Sequence, residues 1–381
     1  MVEISQFRFP TDIRFGVGSR SVLAEFAQKY TVGRPLLVTD SGLTETEAFR
    51  LVADEMDRVW PGAFVKFTGV HSNPTDQDVE DAWNAYAQGD CDGVVGLGGG
   101  SALDAAKALR LKVAFPDVTL TEIPLAELPP TLTPMCAIPT TAGTGSEVGR
   151  STVITIRQVG RKMVLGAPPL MPEIAVLDPE LTVGLPPNLT AWTGMDAMTH
   201  AVEAFVCPVF HPMCDAIALE AIRLVRLNLP RAYSDGADLE ARGMMLVAAA
   251  MGAVSFQKDL GAAHSLSHPL SSEFGVQHGL ANAIALPVVV RFNGERDSAQ
   301  YERVAAALGC SDSPGNPASL VADFLNEFNR SIGITQRLRD LEVPRENLSE
   351  LAVKAIEDGC HLSNPRPCTE EDMLRLYEEI W

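Results

Sequence analysis

Residues Asp92–Leu109 read DGVVGLGGGSALDAAKAL. A short apolar run suited to a buried strand passes through three consecutive glycines, Gly98, Gly99 and Gly100, into an alanine- and leucine-rich segment of helical period. Glycines leave backbone N–H groups bare and allow close approach, and the first turn of a helix adds its positive end. Strand, glycines and helix in that order therefore make a phosphate cradle that needs few basic side chains. Ser101 and Asp104, three apart at its edge, resemble a helix-capping pair and are also candidate contacts to whatever the loop holds.

Outward from this loop, helical and strand patterns alternate. SRSVLAEFAQKY (19–30), TETEAFRLVADEMD (44–57) and DQDVEDAWNAYAQG (76–89) have helical period, whereas PLLVTD (35–40), AFVKFTG (63–69) and CDGVVGL (91–97) read as strands. Strands separated by helices of this length imply a parallel sheet covered on both faces, which binds ligands at the carboxyl ends of its strands. A second polar, glycine-containing loop, AIPTTAGTGSEVGR (137–150), brings Thr140, Thr141, Thr144 and Ser146 to the same edge. Two such loops on neighbouring strands point to a dinucleotide. Asp40, ending PLLVTD, is placed to accept hydrogen bonds from an adenosine ribose and to repel a 2′-phosphate, which favours NAD over NADP; it would equally cap the following helix.

After residue 150 the pattern changes. STVITIRQVGRKMVLG (151–166) reads as a hairpin and EIAVLD (173–178) as one more buried strand, and paired prolines in LTVGLPPNLT (181–190) mark a boundary. Beyond it LTAWTGMDAMTHAVEAFV, DAIALEAIRLVRLNL and DLEARGMMLVAAAMGAVSF are long and helical in period. The expected architecture is a Rossmann-like α/β domain over residues 1–185 followed by an all-α domain over residues 186–381, with no internal repeat.

With 46% hydrophobic and 21% charged residues, the 381-residue chain has the composition of an ordinary globular protein. A net charge of -19, from 30 Lys and Arg against 49 Asp and Glu, speaks against nucleic acid and anionic membranes as partners. The seven cysteines are odd in number and form no C-x-x-C pair, so a reducing cytoplasm is expected. The first residues, MVEISQFRFPTDIRFG, lack a signal-peptide pattern, and no apolar run is expected to approach the 18 or more residues of a membrane span.

Five of the seven histidines, His200, His211, His264, His268 and His278, lie between positions 200 and 278. Asp196 and His200 are four apart on one predicted helix, as are His264 and His268 on another, so each pair shares a helix face. A carboxylate with several neutral imidazoles is a donor set for Zn(II) or Fe(II). Burying each imidazole unpaired would cost about 1–3 kcal/mol, and a shared ion removes that cost. His211, beside two prolines, is expected in a loop outside the cluster. Spacing by itself leaves open which four of Asp196, His200, His264, His268 and His278 would share an ion.

GGGSALDAAK, PTTAGTGSEV, GMDAMTHAVEAF, HSLSHPLSSEFGVQHGLANAIALP and the NPR of residues 364–366 together resemble, in order and over nearly the whole chain, the iron-containing alcohol dehydrogenase family, whose fold is shared with dehydroquinate synthase. The resemblance implies metal ligands at Asp196, His200, His264 and His278, with His268 beside the substrate as a proton relay. It implies NAD contacts at Asp40, Asn73, Gly98, Gly99, Ser101, Thr140, Thr141, Thr144, Val153, Lys162 and Leu181; by position alone Lys162 would be a surface lysine and Asn73 a turn residue. Fe(II) is the implied metal, with Zn(II) an alternative, and a homodimer or larger assembly is implied.

The expected activity is reversible hydride transfer between a small primary alcohol and NAD. Where the family usually carries glycine after His-Pro-Leu, this chain has Ser271, Ser272 and Glu273, a departure that bears on substrate choice. FQKDLGAAHSLSHPL resembles the subgroup with 4-hydroxybutyrate dehydrogenases, a pointer to an ω-hydroxy acid. The rivals are an NAD- and metal-dependent lyase of the dehydroquinate synthase type, for which no extra Lys/Arg cluster is evident, and a non-catalytic NAD-binding sensor. A metal-independent reductase of the maleylacetate type would lack the full ligand set.

Overall fold

The structure, a computed structural model, describes Phe9, residues 11–158, 160–311 and 314–381. Two compact units are formed, Phe9–Leu185 with Ala237–Leu246, and Pro186–Gly236 with Val247–Trp381.

The first unit holds strands β1 (Asp12–Phe15), β2 (Pro35–Asp40), β3 (Val65–Val70), β4 (Gly93–Gly98), β5 (Met135–Pro139), β6 (Ser151–Ile156), β7 (Arg161–Gly166) and β8 (Ile174–Leu177). Six form a sheet in the order β1-β8-β5-β4-β2-β3, with every pairing parallel. The expected hairpin is β6–β7, antiparallel and in unbroken register from Ser151–Gly166 to Ile156–Arg161. Helices α1 (Leu23–Tyr30) and α2 (Glu47–Val59) bury Phe26, Val52 and Met56 against Leu37, Val95 and Ile138 on one face of the sheet. Helices α3 (Asp76–Gln88) and α4 (Gly100–Ala114) bury Ala82, Tyr86 and Leu103 against Leu36, Val94 and Ala137 on the other. The crossovers leaving β2 and β4 therefore turn to opposite faces, and the carboxyl ends of these neighbouring strands open a crevice at a topological switch point.

The helix starts follow local chemistry. Thr46 accepts from the Phe49 amide, and Thr75 with Asp78 forms a capping box. Ser101 and Asp104 do not cap α4, contrary to their spacing: the helix begins at Gly100 with Gly99 as its cap residue. Helix α4 is buried almost all round, so its cations are anchored internally, Arg110 on Glu173 (2.8 Å) and the carbonyls of Thr133 and Leu170, Lys112 on Glu80 (2.7 Å).

Beyond Leu185 the chain is helical: α5 (Pro187–Val206), α6 (Pro212–Ser234), α7 (Leu239–Ser255), α8 (Ala262–Phe274), α9 (His278–Gly294), α10 (Glu302–Leu308), α11 (Pro317–Ser331), α12 (Leu348–Glu357) and α13 (Glu370–Ile380). Contrary to the expectation that no apolar run approaches membrane-spanning length, Leu239–Lys258 is long and apolar enough by composition, but 67% of its 18-residue apolar window is buried within the protein, as in a core helix.

Glu147, between β5 and β6, is fully enclosed, and burial raises its pKa from 4.5 to about 7, with Lys107 opposing. The folded state thus retains a proton that the unfolded chain releases above its ordinary pKa. Stability is expected to fall by roughly 3 kcal/mol as pH rises through this window and then to level off. In Glu147→Gln that contribution vanishes; urea unfolding of both proteins across the window tests it, and parallel pH profiles would refute it.

Candidate metal centre and cofactor loops

Asp196, His200 and Glu203 lie four and then three residues apart, so α5 presents all three on one face. Helix α8 does the same with His264, His268 and Ser271, and α9 opens at His278 with Asn282 one turn on. The three helices bring these side chains together. Asp196 Oδ1 lies 3.5 Å from His278 Nε2, 3.8 Å from His200 Nε2 and 3.9 Å from His264 Nε2. The donor atoms of Asp196, His200 and His264 all fall within 4.8 Å of one another, and all three residues are buried. The His200 and His264 rings stack at 4.9 Å and 14°.

The tautomer of His264 is set by its neighbour. Glu203 accepts hydrogen bonds from His264 Nδ1 (2.5 Å) and from the Ala263 amide (2.7 Å), so the Nε2 lone pair of His264 faces Asp196. Close approach requires glycine at 261, where a Cβ would stand 2.8 Å from Glu203 Oε1. Asn364 of the NPR segment accepts from the Ala262 amide (3.3 Å) and donates to Asn293 Oδ1 (2.7 Å), pinning the start of α8.

Burial works against a charge on His264, but Glu203 and then Asp196 outweigh it and its pKa is raised. Burial likewise acts to raise the Asp196 pKa, yet the surrounding His200, His278 and His264 hold it below the carboxylate range. The raised His264 pKa reports a negative potential, set up by the Glu203 and Asp196 carboxylates, that favours a cation. Asn282 Nδ2 occupies the focus of that potential, 2.8 Å from Asp196 Oδ1 and 3.2 Å from Nε2 of both His264 and His278. Two amide hydrogens face three acceptors there, while Asn282 Oδ1 is buried without a partner. A divalent ion satisfies all the acceptors at once, so the donor set fits Zn(II) or Fe(II).

His268 lies beside this focus, its ring stacked on His278 at 5.3 Å and 14°. Its Nδ1 is 2.8 Å from Asp358 Oδ2, a hydrogen-bond distance. His211 stands apart as the cap of α6, its Nδ1 accepting from the Cys214 amide. Glu273 turns to the surface and pairs with Lys354 at 2.9 Å. Ser271 keeps the face of His264 and His268, with its hydroxyl buried and without a hydrogen-bond partner. Glu203 and Asn282 were findable by helical spacing, seven residues from Asp196 and four from His278; Asp358, 90 residues from His268, carried no local signal.

In the sheet unit, Gly98 has a φ of +144°, and a Cβ there would come within 2.8 Å of Ala102 Cβ. Asp40 lies next to it at the switch point, its Oδ1 accepting from the Leu43 amide at 2.9 Å. Thr141 and Thr144 border Gly99 and Gly100, Thr140 donates its amide to the Gly98 carbonyl, and Ser101 bonds the Ser72 carbonyl beside exposed Asn73. The Asp104 carboxylate is taken internally by Ser146 Oγ (2.6 Å), Lys107 (3.2 Å) and the Val153 amide (3.0 Å). Lys162 on β7 is largely buried rather than a solvated surface lysine, and burial lowers its pKa against the pull of Asp104. Leu181 belongs to the hydrophobic core.

The sequence profile described as iron-containing alcohol dehydrogenase matches residues 10–179, and the C-terminal profile of the Fe-containing alcohol dehydrogenase family matches residues 190–381. A 4-hydroxybutyrate dehydrogenase of Cupriavidus necator is 35% identical over 97% of this chain and 98% of its own. The crystal structure of a 1,3-propanediol oxidoreductase superposes with a TM-score of 0.94 at 32% identity, covering 100% of both chains. A sulfoacetaldehyde reductase from Bifidobacterium kashiwanohense in complex with NAD+ gives 0.89 at 28% identity over 100% of this chain and 99% of its own.

One residue tests whether α5 and α9 must meet this closely. A Cβ at Gly279 would lie 2.1 Å from the Trp192 carbonyl oxygen and 3.2 Å from Asp196 Cβ. Gly279→Ala is expected to cost about 1–3 kcal/mol in urea unfolding and to weaken metal binding with it. Unchanged stability and affinity would show that the approach is dispensable.

Proposed function

The chain belongs to the iron-containing alcohol dehydrogenase family, and from that premise we propose that this NAD-dependent alcohol dehydrogenase oxidises a small primary alcohol bearing a second oxygen function, such as an ω-hydroxy acid. The convergence of Asp196 and three imidazole nitrogens on one point carries the reading. The 4-hydroxybutyrate dehydrogenase relative supports the substrate class, as does the buried Ser271 hydroxyl on the face shared with His268. Asp196, His200, His264 and His278 would hold Fe(II), with Zn(II) able to take the same donors. Residues 1–185 would carry NAD and residues 186–381 the metal and the substrate.

When bound, the metal supplies Lewis acidity that makes an alcohol hydroxyl easier to deprotonate, and NAD accepts the hydride. The chain's own contributions are orientation and proton handling. Glu203 keeps the His264 Nε2 lone pair turned inward. His268, with a side chain 31% exposed, connects the site to water and would carry the substrate proton outward. Amides of Gly98 and Gly99 and the start of α4 would receive the pyrophosphate, with Ser101, Thr140, Thr141 and Thr144 at the rim. Asp40 would accept from the ribose; Asn73, Asp104, Val153, Lys162 and Leu181 complete the proposed cofactor set.

The seven free cysteines support a reducing, cytoplasmic location. The edge strand β1, with Ile13 and Phe15 exposed and Val17 exposed in the turn after it, supports a homodimer or larger assembly.

Protein reconstituted anaerobically with Fe(II) or Zn(II) is expected to form NADH from diols and ω-hydroxy acids faster than from unsubstituted alcohols of equal length. Activity should disappear on chelation and in His264→Ala. NAD binding without turnover in either direction would defeat the proposal.

Glu203→Gln, which removes the charge behind His264, is expected to lower metal affinity about 10–100-fold. Competition against a chromogenic chelator measures it without recourse to catalysis.

A further inference from the structure

Beside the candidate centre, Asp358 has no role in the reading above. It stands at the head of a short 3-10 turn, Gly359–Ser363, and its two carboxylate oxygens are used differently. Oδ1 accepts from the Cys360 amide (2.9 Å) and from Ser265 Oγ (2.9 Å), which itself accepts from the His361 amide (2.8 Å). Those bonds tie the turn to α8. Oδ2 accepts from His268 Nδ1 at 2.8 Å.

An ionised carboxylate only accepts, so in neutral His268 the hydrogen sits on Nδ1 and the lone pair on Nε2. The ring is further confined by His278, stacked at 5.3 Å, and by His264, edge-on at 5.9 Å and 69°. We infer that Asp358 is the positioning residue of the proton relay, holding His268 with its Nε2 lone pair free to accept. This rests on the reading of His268 as the relay. With that tautomer lost, His268 would present an N–H where an acceptor is needed.

The division of labour between the oxygens supplies a clean test. Asp358→Asn keeps Oδ1 for Ser265 and Cys360, but places an amide N–H donor opposite His268 Nδ1 and so selects the other tautomer. The expected result is a kcat lowered about 10²-fold, the lower range of general acid–base contributions, with metal content, KM for NAD and the unfolding midpoint unchanged. In a His268→Ala background the same exchange should have no further effect, and Asp358→Glu should recover part of the lost rate.

If Asp358→Asn costs the same factor in both backgrounds, Asp358 does not act through His268 and the inference is overturned, while the relay reading stands. If His268→Ala alone retains wild-type kcat, the relay reading fails and this inference with it. Loss of metal, NAD affinity or folding stability in Asp358→Asn would assign the residue a purely structural role and also overturn it.

Discussion

The structure of the helical unit turns on a carboxylate buried among imidazoles. Asp196 is 3% exposed, and an anion removed that far from water is tolerated only where positive charge or several hydrogen bonds converge on it. Here three imidazole nitrogens and one carboxamide approach it from α5, α8 and α9. Meeting at one point forces the helices close together, and the glycine at 279 lets the α9 backbone rest against the Trp192 carbonyl. Stability and the convergence of these donor atoms are therefore demands on the same contact.

A polar support lies behind that point. Glu203 fixes the His264 ring, Asn364 secures the start of α8 through the Ala262 amide and Asn293, and Arg366 caps the arrangement by bonding the Phe292 carbonyl (2.7 Å) and lying 3.8 Å over the Phe292 ring. The C-terminal NPR segment is thus joined to a histidine some hundred residues earlier by a chain of hydrogen bonds. Supporting residues of this kind orient first-contact donors and determine how well a site retains its ion.

The sheet unit meets a different electrostatic demand. In a chain of net charge -19, the positive potential offered to an anion is local and largely uncharged: the amides of a glycine loop and the first turn of a helix at the switch point between β2 and β4. Lys107 and Lys162 remain near it, but Lys107 is consumed by the Ser146 and Ser151 carbonyls and Asp104. Oriented dipoles of this kind act at short range and do not depend on the net charge of the chain.

The alternation of strands and helices, the glycine cradle and the shared faces of Asp196 with His200 and of His264 with His268 were legible in the sequence, because each depends on a period of two to four residues along one element. The misreading of Ser101 and Asp104 as a cap shows where that legibility stops: Gly99 takes the cap, and both side chains bond to residues on other elements, Ser72 in one case, Ser146 and Val153 in the other. Leu181 is placed in the core by the packing of a whole sheet face, which no local pattern encodes. Which imidazoles share the Asp196 oxygen, which carboxylate stands behind His264 and which behind His268 were decided only by the tertiary structure. Apart from Asp196 with His200 on one helix, those contacts join positions 61 to 90 residues apart, and their distances follow from helix packing rather than from any spacing along the chain.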